Sequence, residues 1–365
     1  MTASRVLVAP VTVTPTKPLT PSHLKGLLWT DVLVRATELV ADVHYRYSTT
    51  TYHVTEQETG FWEFLDRTIG DTDYSDAPEE EIGALYVRYR AGSPARSEAL
   101  RPYVEAVEHS GWVHPASLRV LELWADQYRR LGMRDPGLTR RQPPGMSFAE
   151  VVDALGDLCL DHRAENGPVY LDLTREGMPL RRIADADGRP NYLGCALRDL
   201  VPLAPAYDEV VLLCDRELEN DYAALQRVLA RLGPAVRRTV LGRVPLDGVV
   251  RSARHGGWEG STVGKLLDAT AEHEKSALRL GMRLYFIAVL GPGQRQSFRP
   301  DLLRRHLAKA ERLLADSDDR GSDPRALLTA HRDDRLHVDP YPLTSGLLNR
   351  HGPRPSTRLL TEVFT

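Results

Sequence analysis

The sequence contains few cysteines and no long apolar run. Its three cysteines are odd in number and far apart, which argues against a disulfide framework and against a zinc site; they are Cys159, Cys195 and Cys214. We expect reduced, buried thiols. No segment reaches the roughly 18 consecutive apolar residues that a membrane helix needs, and the start of the chain does not resemble a signal peptide. The sequence therefore predicts a cytoplasmic protein with no membrane partner.

Lysine is the scarcest charged residue. It occurs only at positions 17, 25, 265, 275 and 309, so nearly all the positive charge is arginine. The formal net charge of -3 gives no overall attraction for a polyanion, and we expect no DNA partner. The histidines lack the close spacing of metal ligands, so we predict no metal site formed by the protein itself. A Walker-type phosphate loop is also missing.

Segments rich in valine and leucine alternate with amphipathic segments along the chain. RVLVAPVTVT and YDEVVLLC predict buried strands, each followed by a helix, the first from about 21 to 40. The helix NDYAALQRVLARLG and the strand RRTVLGRV then complete a strand–helix–strand unit. We predict an α/β fold with a Rossmann-like parallel sheet.

Helical patterns dominate further regions. Residues 78–132 are predicted to be helical, FAEVVDALGDLCLDHRA is predicted to form one helix, and PVYLDLTREGMPLRRIADADGRPNYL is predicted to form a hairpin. From about 266 to 316 the pattern is helical again. The predicted organisation is a nucleotide-binding core over 1–265 with a helical insertion at about 76–165, followed by a helical C-terminal region with an irregular tail over 266–365.

The stretch TPTKPLTPSHLKGLLWTDVLVRA joins the first predicted strand to its helix. Thr20 is a suitable N-cap and Pro21 a suitable first helical residue. A helix that begins at the end of a parallel strand presents backbone N–H groups and a positive dipole end to an anion. A lysine, two hydroxyls and an imidazole surround this start: Lys17, Thr20, Ser22 and His23. A histidine in the first turn of a capped helix is also common without any ligand, so spacing alone leaves a structural role open.

The same stretch resembles the first signature region of class I aminoacyl-tRNA synthetases, in which Lys-Pro precedes a His-Ile-Gly-His motif and a helix follows. Later stretches resemble the arginyl-tRNA synthetase branch in the same order, namely LELWADQYRRLGMR, VYLDLTREG with RIADADGRPNYL, YDEVVLLCD and LGMRLYFIAVLGPGQRQSFRPDLL. The resemblance spans about residues 6–305. It implies a Rossmann-like catalytic domain that binds ATP, with Mg²⁺ accompanying the nucleotide, and that activates a small amino-acid-like substrate as an adenylate.

The resemblance assigns roles to residues at the first signature and after the middle strand. His23 takes the place of the second histidine of the motif and Thr20 that of the first, and Pro21-Ser22 replace the middle pair. This implies that His23, Thr20 and Lys17 contact the phosphates and carry the catalysis. Ser22 would bind the nucleotide, as would Asp215, which matches the aspartate of a Gly-Ala-Asp-His turn.

The predicted substrate pocket departs from the family. Tyr192 matches a tyrosine of the amino-acid pocket, and Tyr52 and Glu56 lie in a segment that would face it. Four residues beyond Tyr192 the family carries an aspartate that pairs with the guanidinium of arginine, whereas this chain has Ala196. Losing this contact, worth roughly 1.5–3 kcal/mol, disfavours arginine as the substrate. For the aromatic residues near Glu56 we favour an ordinary core over a place in the pocket.

The second signature of the family, Lys-Met-Ser-Lys-Ser, is absent. RSARHGGWEGSTVGKLL stands in its place, where Arg251, Arg254 or Lys265 could supply positive charge to the nucleotide. The glycines favour a mobile lid, with an ordinary surface loop as the alternative.

The matched region leaves only residues 306–365, too few for the anticodon-binding domain of the family. We therefore expect adenylate chemistry that forms an amide, and we do not expect tRNA as a partner. The alternative is a catalytically inactive relative that binds a nucleotide or a partner protein and acts as a regulator or scaffold.

Overall fold

The computed structural model describes residues 4–250, 255–293, 296–317, 323–349 and 354–365. The strands are β1 (Arg5–Pro10), β2 (Asp42–Tyr45), β3 (Cys159–Asp161), β4 (Val169–Leu171), β5 (Arg181–Ala184), β6 (Glu209–Asp215) and β7 (Ala235–Leu241). The helices are α1 (Pro21–Glu38), α2 (Thr49–Tyr52), α3 (Glu56–Thr68), α4 (Glu79–Ala91), α5 (Ser97–Ser110), α6 (Pro115–Arg130), α7 (Phe148–Leu155), α8 (Tyr192–Leu200), α9 (Glu219–Ala230), α10 (Val263–Asp268), α11 (Lys275–Arg283), α12 (Pro300–Ala315), α13 (Pro324–Ala330), α14 (Pro340–Gly346) and α15 (Thr357–Leu359). Within these ranges, none of the helices combines the length and the apolar character needed to cross a membrane.

Four strands form a parallel sheet in the order β2-β1-β6-β7. β1 lies inside the sheet, since Val6 pairs with Val43 on one side and with Glu209 on the other. The chain winds from β1 through α1 to β2 in one direction and from β6 through α9 to β7 in the other. The strand order therefore reverses between β1 and β6. The predicted α/β fold with a Rossmann-like parallel sheet is confirmed.

The two inner strands are apolar on both faces. Val6 and Val8 of β1 join one apolar cluster. Leu7 and Ala9 join the cluster on the opposite face. Residues 210–214 of β6 alternate between the two clusters in the same way. Because helices cover both faces, residues 6–10 of β1 and 209–214 of β6 are buried, which explains the unbroken apolar runs in the sequence.

Two predicted helical segments are divided in the structure. Residues 78–132 contain three helices, α4, α5 and α6. α5 is followed by the capping residue Gly111, whose φ of 67° favours glycine. The predicted single helix in FAEVVDALGDLCLDHRA is wrong in its second half. α7 ends at Leu155, Gly156 adopts a φ of 50°, and Cys159–Asp161 pairs with β4. β3, β4 and β5 thus form a small antiparallel sheet that includes the predicted hairpin.

The C-terminal part of the chain packs on the sheet domain. α11 continues as a π-helical turn over Leu284–Val289, and α12 to α15 follow it. Phe286 in this turn and Leu28 of α1 belong to one apolar cluster. The division into a core over 1–265 and a region over 266–365 stays a prediction.

A buried ion pair joins α11 to α1. Arg283 is fully buried, and its Nη2 lies 2.5 Å from Asp31 Oδ2. Asp31 also accepts from Arg35 Nε at 3.2 Å and from the backbone N–H of Arg134 at 2.8 Å. Arg283 donates further to the carbonyl of Leu131 at 3.1 Å. One carboxylate therefore links α1, α11 and the loop after α6.

Glu79, the first residue of α4, is a buried carboxylate next to the segment that leads into α1. Gln127 Nε2 donates to its Oε1 at 2.9 Å, and the backbone of Gly264 and of Leu19 also hydrogen-bonds to the carboxylate. Burial raises the pKa of Glu79 to about 7, because the ionised form loses its solvation by water.

Glu79 should make the stability of the protein fall with rising pH. Its pKa in the folded protein lies above the 4.5 of a solvated carboxyl group, so its contribution is fully present below pH 4.5 and is lost as the pH rises to about 7. The shift corresponds to about 3 kcal/mol at most. Urea unfolding at about pH 5 and about pH 8 should show that Glu79→Gln loses less stability than the wild type between these two conditions.

Glu81→Gln, at an exposed position of the same helical turn, is the control and should retain the pH dependence of the wild type. An identical pH dependence in Glu79→Gln and the wild type would contradict the assignment to Glu79.

Candidate active site

A cavity of about 310 Å³ opens at the carboxyl ends of β1, β6 and β7. Its walls come from the residues after these strands, from the start of α1, and from α3, α4 and α8. Among the residues that line it are Thr14, Lys17, Thr20, Ser22, His23, Gln57, Tyr86, Tyr192, Asp215, Glu217 and Arg243. The cavity lies where the strand order reverses, which is the place where open α/β sheets bind ligands.

The start of α1 fixes the orientation and the protonation state of His23. The backbone N–H of Thr20 donates to His23 Nδ1 at 3.1 Å. Because a backbone N–H can only donate, Nδ1 is the acceptor, and the neutral ring carries its proton on Nε2. Burial, together with the nearby charges of Lys17 and Arg243, lowers the pKa of His23 to about 3. At neutral pH the imidazole is therefore an uncharged hydrogen-bond donor in the cavity wall.

Lys17 brings a positive charge to the same cavity from the segment before α1. The residue is buried, with Nζ 3.5 Å from Thr16 Oγ1 and 5.2 Å from the centre of the Tyr86 ring. An ammonium over an aromatic face gains roughly 0.5–2 kcal/mol from cation–π attraction, so Tyr86 helps to hold the charge in place. The structure thus places Lys17, Thr20 and His23 around one cavity, and their catalytic roles stay predictions.

Arg243 is a cavity cation that the sequence analysis missed. It follows the end of β7, with Nη2 3.0 Å from Asp215 Oδ2 and Nη1 2.7 Å from Glu217 Oε1. Asp215 also accepts from the backbone N–H groups of Glu217 and Leu218, which fixes the turn after β6. Asp215 therefore lies at the cavity as an anchor for Arg243. The available signal was the position of Arg243 near the carboxyl end of the predicted strand RRTVLGRV.

Two residues of α1 connect this helix to the loop that carries Arg243. The hydroxyl of Ser22 donates to the carbonyl of Val244 at 3.3 Å and accepts from its N–H at 3.0 Å. Lys25 is buried and donates to the carbonyls of Gly242 at 2.9 Å and Pro292 at 3.2 Å. Burial lowers the pKa of Lys25 to about 8. Ser22 lines the cavity, but the proton of its hydroxyl is donated to the backbone; its contact with a nucleotide stays a prediction.

Tyr192 and Gln57 form a polar wall around Thr14. Gln57 Nε2 donates to Thr14 Oγ1, and the Tyr192 hydroxyl also hydrogen-bonds with Thr14. Burial raises the pKa of Tyr192 well above its usual value, so the hydroxyl stays protonated. Tyr52 is buried against Tyr192, with the ring centres 5.1 Å apart, and does not line the cavity.

Two further predicted site residues are not brought to the cavity. Glu56 is exposed at the start of α3 and Lys265 is exposed on α10, and neither lines the cavity. Arg254, like Arg251, lies outside the described residues. The roles of these residues stay predictions. In the described ranges, no group of three or more His, Cys, Asp or Glu side chains is arranged to hold a metal ion.

The segment that was predicted as a lid packs against α4 where the structure describes it. Trp258 is buried beside Gly83, where an added Cβ atom would lie 2.8 Å from the indole ring. Further along, the N–H of Val263 donates to the carbonyl of Leu19 at 2.8 Å. This part of the segment therefore supports the residues that lead into α1.

Comparison with solved structures finds arginyl-tRNA synthetases. The arginyl-tRNA synthetase of Thermus thermophilus is similar with a TM-score of 0.59 and 15% identity, over 94% of this chain and 69% of that chain. A putative arginyl-tRNA synthetase of Campylobacter jejuni has a TM-score of 0.41 and 14% identity, over 89% of this chain and 88% of that chain. The arginyl-tRNA synthetase of Plasmodium falciparum has a TM-score of 0.46 and 11% identity, over 91% of this chain and 58% of that chain. No protein-family model and no curated protein matches the sequence. The resemblance found in the sequence is thus confirmed at the level of the fold: the chain has an arginyl-tRNA synthetase-like fold.

Proposed function

We propose that this chain activates the carboxylate of an amino acid with ATP and transfers the acyl group to an amine. In the first step a carboxylate oxygen attacks the α-phosphorus, the bond to the β-phosphate oxygen breaks, and pyrophosphate leaves. In the second step the amine nitrogen attacks the acyl carbon, AMP leaves with the bonding electrons, and the nitrogen loses a proton. The product is an amide.

The proposal rests on three groups that lie around a single cavity, namely one neutral hydrogen-bond donor and two cations. His23 supplies an N–H, and Lys17 and Arg243 supply positive charge, all beside the start of an 18-residue helix. Negative charge develops on the departing pyrophosphate, and donors held in place before the reaction stabilise it without reorganising. The first turn of α1 adds backbone N–H groups and the positive end of the helix dipole. These groups suit a polyphosphate.

Mg²⁺ would be held mainly by the phosphates that it accompanies. Among the described residues of the cavity wall, the carboxylates are those of Asp215 and Glu217, and both are bound to Arg243. Mg²⁺ commonly binds in this way, through phosphate oxygens and water with few protein ligands. The ion would neutralise charge on the phosphates.

One observation favours the alternative of an inactive, nucleotide-binding regulator. Pro21 is the first residue of α1 and has no backbone N–H, and the hydroxyl of Ser22 is already donated to Val244. Two groups at the helix start are therefore unable to donate to a phosphate. If the remaining donors hold ATP without aligning it for attack, the chain would bind the nucleotide and not turn it over.

Pyrophosphate exchange tests the proposal. We expect radiolabelled pyrophosphate to be incorporated into ATP with at least one amino acid, and a hydroxamate to form when hydroxylamine is supplied as the amine. Lys17→Met should abolish exchange, whereas Lys275→Met, at an exposed position on α11, should retain it. ATP binding without exchange for any amino acid would favour the regulator, and absence of ATP binding would overturn the nucleotide site. Efficient charging of tRNA would contradict amide formation.

A further inference from the structure

The acidic side chains of the cavity lie together and share one guanidinium. Among the described residues that line it, the carboxylates are Asp215 and Glu217, after β6. Both bind the guanidinium of Arg243, at 3.0 and 2.7 Å. A cationic ligand would have to compete with Arg243 for them.

The wall around Tyr192 offers hydrogen bonds and positive charge. Thr14, Gln57 and Tyr192 are joined by hydrogen bonds and carry no charge. The Lys17 ammonium lies over the face of Tyr86, which lines the same cavity. The amide of Gln57 and the hydroxyls can pair with an uncharged polar group or with an acidic one.

We infer that the amino acid bound at this wall has an uncharged or acidic side chain and that cationic side chains are excluded. This inference rests on the proposed function and names the substrate class of the same site. A guanidinium or ammonium group would lose its water without gaining a carboxylate partner, and it would approach the charge of Lys17. An uncharged polar side chain of the same shape avoids both penalties.

The carboxylate of Glu58, which lies behind the wall, does not provide a partner for a cationic side chain. Glu58 is fully buried and does not line the cavity. Its Oε2 lies 3.8 Å from Nδ1 of the buried His53 and accepts from Ser117 Oγ at 3.4 Å. A substrate in the cavity would therefore have no direct contact with this carboxylate.

Pairs of amino acids that match in shape and differ in charge test the inference. Arginine is compared with citrulline, and 2,4-diaminobutyrate with homoserine, by calorimetric binding to the full chain in the presence of ATP and by pyrophosphate exchange. We expect the uncharged member of at least one pair to bind at least about tenfold more tightly than its cationic partner. Tighter binding of arginine or diaminobutyrate would overturn the inference, and so would failure of every uncharged and acidic amino acid to bind. Binding with this preference but without exchange would overturn the proposed activity alone.

The variant Gln57→Glu gives the inference a second test. It places a carboxylate on the wall with almost no change in shape, so the preference for citrulline over arginine should fall by about tenfold or more. Gln226→Glu, on α9 and outside the cavity, is the matched control and should leave the ratio unchanged. An unchanged ratio in a folded Gln57→Glu protein would overturn the assignment of this wall to the substrate side chain.

Discussion

Replacing Arg243 with methionine should lower the rate of ATP–pyrophosphate exchange by about 10³-fold or more, the range found when an arginine that contacts transferring phosphates is lost. The substitution acts in two ways. It removes a guanidinium from the cavity wall, and it leaves the carboxylates of Asp215 and Glu217 without their partner. Two exposed negative charges would repel the phosphates, so the affinity for ATP should fall together with the rate.

A combined variant separates these two effects. Arg243→Met with Asp215→Asn and Glu217→Gln removes the repulsion, so ATP binding should recover while the exchange rate stays low. Arg227→Met, at an exposed position on α9, is the control and should behave like the wild type. If Arg243→Met keeps exchange within about fivefold of the wild type, Arg243 has only a structural role.

The buried ion pair between α1 and α11 should give the largest effect on stability. Asp31→Asn keeps the shape of the side chain but leaves the fully buried guanidinium of Arg283 without a carboxylate. Breaking a buried pair by removing one partner costs about 3–5 kcal/mol, and we expect a loss of this size in the free energy of unfolding measured with urea.

Two further variants test whether the unpaired buried charge causes this loss of stability. Asp31→Leu combined with Arg283→Met removes both charges and should be more stable than Asp31→Asn, because neither buried charge is then left alone. Asp126→Asn breaks the exposed pair with Arg129 and should cost less than about 1 kcal/mol. A loss below about 1 kcal/mol in Asp31→Asn would show that the backbone carbonyls of Leu131 and Arg279, which accept from Arg283, make the carboxylate dispensable.

The parts of the fold with a strong local signal were predictable. The unbroken apolar runs of β1 and β6 indicated strands buried on both faces, and Thr20 with Pro21 indicated the start of α1. β3 was missed, because a strand of three residues is too short to show a period and Cys159–Asp161 follows a helix in sequence. What makes it a strand is its pairing with β4.

The candidate site was predictable only on the side of α1. Lys17 and His23 stand close together in an unusual stretch of sequence, whereas Arg243 has ordinary sequence surroundings. Its position at the cavity depends on the parallel arrangement of β1, β6 and β7, which brings the ends of distant strands to one edge. Lys265 appeared suitable because lysine is rare, but it points to solvent on α10.

The bonds between Ser22 and Val244 span 222 positions of the chain. During synthesis on a ribosome, the helix that carries His23 emerges long before the arginine that completes the cavity. Forming such distant contacts carries a large entropic cost and is slow. The cavity that we propose for the nucleotide is therefore not assembled until β7 has been made and has joined the sheet, which places its completion late in synthesis.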